Sequence, residues 1–206
     1  MMSKLTIGII GAGKLGMTLA KLGIDAGYTI NISGSKAPEK IDLSVSVLAK
    51  GANTMLTKDV IENSDVIILA LPLSKYHLLD SKLLKDKIVI DAMNYWWEID
   101  GDESQYYDEK TTSSENVQKY FAESIIIKAF NHMGYHDLAA TTGKNQAMVY
   151  AGNNQEALEK VAEIIKDFGF VPYYLGTLDQ TNPLQPHGSL FGVSADVTEV
   201  EKILSK

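Results

Sequence analysis

The sequence contains no cysteine among its 206 residues. Disulfides, thiol nucleophiles, thiolate zinc sites and cysteine-held iron–sulfur clusters are therefore excluded. Any redox chemistry would have to come from a bound organic cofactor. Cross-links are also unnecessary, because a chain of this length buries about 70% of its unfolded surface on folding.

Excess positive charge and long apolar runs are missing as well. Lys and Arg number 19 against 26 Asp and Glu, so the net charge is −7, and such a surface repels nucleic acid and anionic membranes. The most apolar stretch, 66–73, is far shorter than the roughly 18 residues of a membrane span. The first residues do not have the pattern of an export signal. We therefore expect a cytoplasmic protein with no nucleic-acid or membrane partner.

Short β-branched runs alternate with longer stretches of helical periodicity, which is typical of parallel strands joined by helical crossovers. The predicted strands are 5–10, 29–33, 52–56, 65–71, 87–92, 124–130, 145–151 and 170–175. The predicted helices are 13–26, 37–49, 57–61, 73–84, 113–121 and 155–168. The pattern breaks at 94–112, which we interpret as a long connection of the kind often used for function. The predicted fold class is α/β, with a doubly wound, mostly parallel sheet.

A glycine-rich turn joins the first predicted strand to the first helix. Its residues Gly11, Ala12, Gly13, Lys14, Leu15 and Gly16 have the spacing G-x-G-x-x-G. In this context the first glycine permits the tight turn, the second lets backbone approach a pyrophosphate, and the third lets helix and strand pack closely. The N–H groups at the helix start then attract the anion. The turn predicts a Rossmann-type dinucleotide-binding fold.

The end of the second strand indicates which dinucleotide binds. An Asp or Glu at this point would hold the ribose hydroxyls of NAD, but no acid is present. Ser33, Ser35 and Lys36 offer two hydroxyls and a cation instead, and these groups suit a 2′-phosphate. NADP is therefore favoured. An ordinary polar turn is the alternative, because turns favour Ser and Gly.

Two later strand ends should border the same crevice, since open α/β sheets bind ligands at the carboxyl ends of their strands. Small Ala70 and rigid Pro72 would let the backbone around Leu71 line the cofactor. Asn94 follows the fifth strand, and it could contact the cofactor or cap the next segment.

Together with the turn, four segments resemble the coenzyme F420-dependent NADP oxidoreductase family. They are Leu-Ala-Leu-Pro at 69–72, Lys-Ile-Val-Ile-Asp-Ala-Met-Asn at 87–94, Lys-Ala-Phe-Asn at 128–131 and Pro-Leu-Gln-Pro at 183–186. The resemblance implies hydride transfer between NADP and a planar deazaflavin, or a flavin as in the related cytosolic domains of membrane metalloreductases.

The same resemblance implies a role for each matching residue. It puts residues 11–16 (Ala12 excepted) at the pyrophosphate, and Ser33, Ser35 and Lys36 at the 2′-phosphate. Residues 70–72 would follow the ribose and nicotinamide, and Ala129 and Asn131 would border the hydride-transfer face. Family members often carry an arginine beside the serine, and this sequence does not.

The short C-terminal part limits the architecture. Hydroxy-acid dehydrogenases and imine reductases with this fingerprint usually add a helical substrate domain, for which 176–206 is too short. We expect one domain over 1–206, with 176–206 packing on it as an extension and a homodimer as a possible assembly. The acceptor would then lie directly against the nicotinamide. Hydride transfer between two planar cofactors requires no catalytic acid or base from the protein.

Several aromatic and histidine residues allow more than one interpretation. Tyr95, Trp96 and Trp97 could stack on a flavin-like ring, or fill the core or a subunit contact. The i, i+4 pair His132 and His136 resembles half a metal site, but a third ligand is missing, so no metal is predicted. His132 could instead face the acceptor. The acids in 98–109 argue mildly against the polyanionic F420 and for a simpler flavin.

These observations predict an NADPH-dependent oxidoreductase that delivers hydride to a small planar acceptor such as F420 or a flavin. A non-catalytic NADPH-binding redox sensor is the alternative, because it would need the same cofactor site. Short-chain carbonyl reduction is a third possibility, which requires a Tyr-x-x-x-Lys pair. Its nearest match is Tyr106 or Tyr107 with Lys110, in an acidic loop.

Overall fold

One sheet of eight strands organises the chain in the computed structural model, which describes residues 4–108 and 110–206. The strands are β1 (Thr6–Ile10), β2 (Thr29–Ser33), β3 (Asn53–Thr54), β4 (Val66–Leu69), β5 (Ile88–Asp91), β6 (Ile125–Lys128), β7 (Ala147–Gly152) and β8 (Val171–Gly176). Their order is β3-β2-β1-β4-β5-β6-β7-β8, and all neighbours are parallel except β6 and β7. The predicted fold class is confirmed, and the strand order reverses between β1 and β4, where such sheets bind ligands.

The helices of the described chain agree in part with the predicted ones. They are α1 (Lys14–Asp25), α2 (Asp42–Leu48), α3 (Thr57–Glu62), α4 (Trp97–Asp100), α5 (Ser113–Tyr120), α6 (Tyr135–Thr141), α7 (Gln155–Asp167) and α8 (Val197–Leu204). Five of them, α1, α2, α3, α5 and α7, lie where helices are predicted, whereas α4, α6 and α8 are not predicted. Short 3-10 turns occur at Pro38–Lys40, Leu73–Leu78, Ser81–Leu84, Glu103–Gln105, Leu178–Gln180 and Asn182–Leu184. No helix in the described part of the chain combines the length and apolar character that crossing a bilayer requires.

The helix predicted over 73–84 is wrong. Two 3-10 turns take its place, and they are separated at Leu79, whose backbone is extended. Asp80 then caps the second turn by accepting a hydrogen bond from the Lys82 backbone N–H at 3.0 Å. Short polar side chains that bond to nearby backbone in this way compete with a continuous helix.

Both faces of the sheet are covered by apolar helices. On one face, Leu19 of α1 and Val161 of α7 pack against the strands, and on the other Val60 of α3 and Phe121 join a second cluster. The central strands are buried on both sides, which explains their continuous apolar runs, whereas the edge strands β3 and β8 are partly exposed. A third cluster joins the C-terminal residues, among them Val200 of α8, to β7 and β8.

A buried ion pair links the carboxyl ends of β5 and β6. The Lys128 ammonium donates to an Asp91 carboxylate oxygen at 3.2 Å and to the Met93 carbonyl at 2.7 Å, and Lys128 and Asp91 are at most 1% exposed. Asp91 also accepts hydrogen bonds from the Ser114 hydroxyl at 2.7 Å and the Met93 N–H at 3.0 Å. Burial lowers the pKa of Lys128, and Asp91 opposes that shift.

His132 lies in the interior, contrary to the expectation that it faces the acceptor. It is 2% exposed, and its Nε2 accepts a hydrogen bond from the Val149 N–H of β7 at 3.0 Å. His136 sits in α6 while His132 precedes that helix, so the two do not share a helical face. Burial lowers the pKa of His132 to about 4.

We predict that removing one partner of the buried pair destabilises the protein strongly. Lys128→Met should lower the free energy of unfolding by about 3–5 kcal/mol, because it leaves the Asp91 carboxylate buried and uncompensated. The double variant Asp91→Leu with Lys128→Met should recover much of that loss, and Lys85→Ala, which breaks the exposed pair with Glu123, should change stability little. Urea unfolding measures the free energy of unfolding of each variant. An equal loss of stability in the single and double variants would contradict the coupling between Lys128 and Asp91.

We also predict an acid-sensitive contribution from His132. Its folded-state pKa lies below the unfolded value of 6.5, so the stabilisation is complete above that pH and is lost as the pH falls toward 4. Between these two pH values, the unfolding free energy should therefore change by about 3 kcal/mol less in His132→Gln than in the wild type. Parallel pH slopes for the two proteins in urea titrations would show that the imidazole does not titrate there.

Candidate functional site

The largest described cavity at the switch point is about 840 Å³. It lies at the carboxyl ends of β1, β2 and β4. Of the residues predicted to bind cofactor, it is lined by Gly11, Ala12, Gly13, Ser35, Ala70, Leu71 and Pro72. Three segments far apart in sequence therefore meet around one space.

Two glycines of the turn are required by packing. Gly11 has a φ of +118°, and a methyl group there would lie 2.2 Å from the Ala70 carbonyl oxygen. At Gly16 a methyl group would lie 1.8 Å from the Gly11 carbonyl oxygen. The backbone that follows β4 therefore excludes a side chain at Gly11, and the backbone of Gly11 excludes one at Gly16 in α1.

Gly13 has no such structural reason. A methyl group there would meet no protein atom within 4 Å beyond its chain neighbours, and its φ of −82° is open to any residue. Gly13 is the N-cap of α1, so the space beside it adjoins the first N–H groups of a twelve-residue helix. Those groups are available to an anion.

The residues at the end of β2 have different environments. Ser33 is buried, and its hydroxyl accepts a hydrogen bond from the Thr57 hydroxyl at 3.1 Å. Ser35 is exposed and lines the cavity. Lys36 is exposed and is not among the residues that line it.

The cavity also has a wall that the sequence reasoning missed. Its further lining residues are Ile10, Gly34, Ile41, Thr57, Lys58, Ile61, Lys75, Leu78, Leu79, Asp80 and Leu83. Most come from the start of α3 and from the 3-10 turns after Pro72. Their position follows from the parallel sheet, because all three strand-to-helix loops leave at the same edge, but no motif marks the individual residues.

Asn94 and Asn131 form a side-chain pair at the ends of β5 and β6. The Asn94 amide donates to the Asn131 carbonyl at 2.8 Å, and the Asn131 amide donates to the Asn94 side-chain oxygen at 3.0 Å and to the Leu184 carbonyl at 2.8 Å. The Asn131 side-chain oxygen is buried without a partner among the described residues. Most buried polar atoms in proteins have a hydrogen-bond partner, so this unpaired oxygen is unusual.

The cavity lining does not include eight of the predicted residues: Lys14, Leu15, Gly16, Ser33, Lys36, Asn94, Ala129 and Asn131. The Lys14 ammonium is 5.3 Å from the centre of the Tyr135 ring, beside a separate pocket of about 380 Å³. Leu15 packs against the main core. Ala129 is fully buried in that core.

The aromatic segment after β5 is divided between core and surface. Tyr95 packs near Tyr106 and donates to the Gly101 carbonyl at 2.6 Å. Trp96 and Trp97 are 50% and 70% exposed. The core-filling interpretation is therefore wrong for the two tryptophans, while ring stacking and subunit contact stay open.

One carboxylate ties this segment to the cavity wall. Asp100, which is buried, accepts hydrogen bonds from the Ser74 N–H at 2.9 Å and the Trp96 N–H at 2.8 Å. Ser74 follows Pro72 by two residues. The loop after β4 and the turn that carries the tryptophans are therefore joined through one side chain.

The geometry does not support short-chain carbonyl reduction or a histidine metal site. The Tyr106 hydroxyl donates to the Asp100 carbonyl at 2.9 Å, and the Tyr107 hydroxyl donates to Glu103. Burial and Glu103 raise the pKa of Tyr107, whereas a catalytic tyrosine needs a lowered one. Within residues 4–108 and 110–206, no three His, Asp or Glu side chains converge as metal ligands.

The chain has relatives among curated proteins. It is similar to Metalloreductase STEAP3 of Rattus norvegicus, with 24% identity over 175 residues. The match covers 84% of this chain and 34% of the relative. The chain therefore spans about a third of the length of this curated relative.

Solved structures share the fold over nearly the whole chain. The hypothetical protein SMa0349 from Sinorhizobium meliloti superposes with a TM-score of 0.81 at 28% identity, covering 93% of this chain and 95% of that one. A protein from Arthrobacter sp. described as a candidate F420-dependent NADP-reductase superposes with a TM-score of 0.69 at 19% identity, covering 85% of this chain and 86% of that one.

A family model matches the part of the chain that forms the cavity. Residues 6–95 match the model described as NADP oxidoreductase coenzyme F420-dependent. This range includes the glycine-rich turn, the end of β2 and the loop after β4, and it confirms the resemblance inferred from the motifs. Residues 6–95 are thus similar to the coenzyme F420-dependent NADP oxidoreductases.

Proposed function

We propose that this protein is an NADPH-dependent oxidoreductase whose cofactor lies in the cavity at the switch point. The open space beside Gly13 carries the proposal. Gly11 and Gly16 are needed for packing, but Gly13 leaves room that the protein itself does not use. A pyrophosphate needs such close access to backbone N–H groups.

The end of β2 supports NADP over NAD. None of Ser33, Gly34 and Ser35 carries the carboxylate that would bind ribose hydroxyls and repel a 2′-phosphate. In the proposal the Ser35 hydroxyl, which lines the cavity, donates to that phosphate. Ser33 supports the loop through its bond with Thr57, and Lys36 adds positive charge nearby.

The amide pair at the ends of β5 and β6 suits the nicotinamide end. In the proposal, the unpaired side-chain oxygen of Asn131 accepts an N–H from the carboxamide, and Asn94 holds Asn131 in place. The ion pair of Lys128 and Asp91 fixes the backbone at Met93, next to Asn94. The reacting ring would thus rest against rigid strand ends, with Ala70–Pro72 on its other side.

NADPH, when bound, supplies the hydride, so the protein's task is to position and shield the two reactants. The buried strand ends exclude water from one side. In the proposal the protein supplies no acid–base side chain, because hydride passes directly between the two bound rings.

The acceptor in this proposal is a planar ring system, either F420 or a flavin. Trp96 and Trp97 present large exposed ring surfaces, and Asp100 connects their turn to the cavity wall. Planar rings stack on such surfaces. The family name supports F420, whereas the nearby carboxylates of 98–108 favour an acceptor with fewer negative charges. A second copy of the chain could cover the same rings and form a homodimer.

Filling the space at Gly13 should abolish nucleotide binding without unfolding the protein. We expect Gly13→Val to weaken NADPH binding at least about tenfold, because the side chain would occupy the pyrophosphate position. Its melting temperature should fall by only a few degrees. Isothermal titration calorimetry and thermal melting measure the two quantities.

The matched control is Gly16→Ala, whose new methyl group collides with the Gly11 carbonyl. It should lower the melting temperature far more than Gly13→Val does. Unchanged NADPH affinity in Gly13→Val would refute the proposed cofactor position.

The acceptor is tested by following NADPH oxidation with a panel of FMN, FAD, riboflavin and F420. We expect turnover with at least one of these planar rings, and a reduced rate in Trp96→Ala and Trp97→Ala if stacking holds the acceptor. Size-exclusion chromatography of the same variants separates acceptor contact from subunit contact. Tight NADPH binding with no oxidation by any acceptor would favour the redox sensor over the enzyme.

A further inference from the structure

The cation that would meet a 2′-phosphate is not marked by any sequence motif. All 19 positive side chains are lysines, since the chain has no arginine. Phosphate recognition at the adenosine end therefore depends on which lysine reaches the cavity. Two do so, Lys58 and Lys75, while Lys36 is exposed and is not among the lining residues.

Lys58 stands on the β2 side of the cavity. It follows Thr57, whose hydroxyl donates to the Ser33 hydroxyl at 3.1 Å. That bond ties the start of α3 to the end of β2, where Rossmann-type folds contact the 2′ group of the adenosine ribose. Lys58 and Ser35 thus line the same cavity next to a fixed junction.

Lys75 stands on the opposite wall. It belongs to the segment after Pro72, together with Asp80 and the apolar Leu79 and Leu83. Asp80 is the one carboxylate among the described lining residues, so negative charge in the wall lies on the Lys75 side. The apolar residues of this wall suit the face of a purine. A purine bound against this wall would place the 2′-phosphate on the opposite side of the cavity, near Lys58.

Lys58 is also free to change partner. Its ammonium lies 3.6 Å from a Glu62 carboxylate oxygen, and both side chains are at least half exposed. An exposed i, i+4 pair of this kind is weak. A phosphate carries more charge than one carboxylate and forms stronger charge-assisted hydrogen bonds.

We infer that Lys58, acting with Ser35, binds the 2′-phosphate of NADP and sets the preference for NADP over NAD. This inference rests on the proposed cofactor site and names the residue that gives it selectivity. Lys36, which the sequence favours for this role, would contribute only long-range charge.

The test uses 2′,5′-ADP and 5′-AMP, which differ only in the 2′-phosphate. Calorimetry should show that Lys58→Ala weakens 2′,5′-ADP binding about tenfold, the value of one charge-assisted hydrogen bond, and leaves 5′-AMP binding unchanged. Lys58→Arg should retain the discrimination. Glu62→Gln should strengthen 2′,5′-ADP binding by releasing the ammonium.

Two lysine variants serve as controls for net charge. Lys36→Ala and Lys50→Ala, which removes an exposed lysine between α2 and β3, should each change the affinity ratio less than about twofold. A loss of selectivity in Lys36→Ala but not in Lys58→Ala would overturn the inference. So would an equal loss of affinity for 2′,5′-ADP and for 5′-AMP in Lys58→Ala.

The wild-type protein separates this inference from the proposed function. If it binds both probes equally, Lys58 confers no selectivity, yet the nucleotide site stands. If it binds neither these probes nor NADPH, the proposed function itself fails.

Discussion

The close approach of three backbone segments at Gly11 is the constraint on which the rest of the structure depends. The Ala70 carbonyl leaves no room for a side chain at Gly11, and the Gly11 carbonyl leaves none at Gly16 in the first turn of α1. This contact holds β1, β4 and α1 together at the point where the strand order reverses. Because the backbone is packed so tightly on one side, the opening on the other side, at Gly13, has a defined shape. A ligand site thus follows from packing rather than from a set of reactive side chains.

The strand ends on the far side of the switch point are fixed by different means. Here Lys128 and Asp91 meet in the interior, and their hydrogen bonds hold the backbone at Met93. Desolvating two charges is unfavourable unless their hydrogen bonds are satisfied, and Asp91 achieves this through Ser114 as well. The result is a rigid border for the amide of Asn131. Rigidity suits a protein whose proposed task is to hold two planar rings at a set distance.

The sequence predicts the fold better than it predicts the site. Continuous apolar runs indicate the central strands, because these are buried on both faces of the sheet, whereas β3 has only a weak pattern and forms a two-residue strand. The glycine spacing likewise indicates the turn, since packing requires Gly11 and Gly16 and the open space beside Gly13 adjoins the start of α1. The lining residues Lys58 and Leu79 have no such signal, because their position depends on how loops from separate strands converge. Local hydrogen bonding by Asp80 also overrides the apolar pattern that predicts a helix over 73–84, and burial of His132 depends on a contact with β7.

The Asp100 carboxylate bridges the loop after β4 and the turn at Trp96. The backbone positions on either side of the bridge cannot move independently, so a shift at Ser74 is carried to the aromatic turn. Trp96 and Trp97 are also the chain's two tryptophans. Tryptophan fluorescence of the unlabelled protein, excited where its ten tyrosines do not absorb, therefore arises from a single turn that Asp100 joins to the loop after β4.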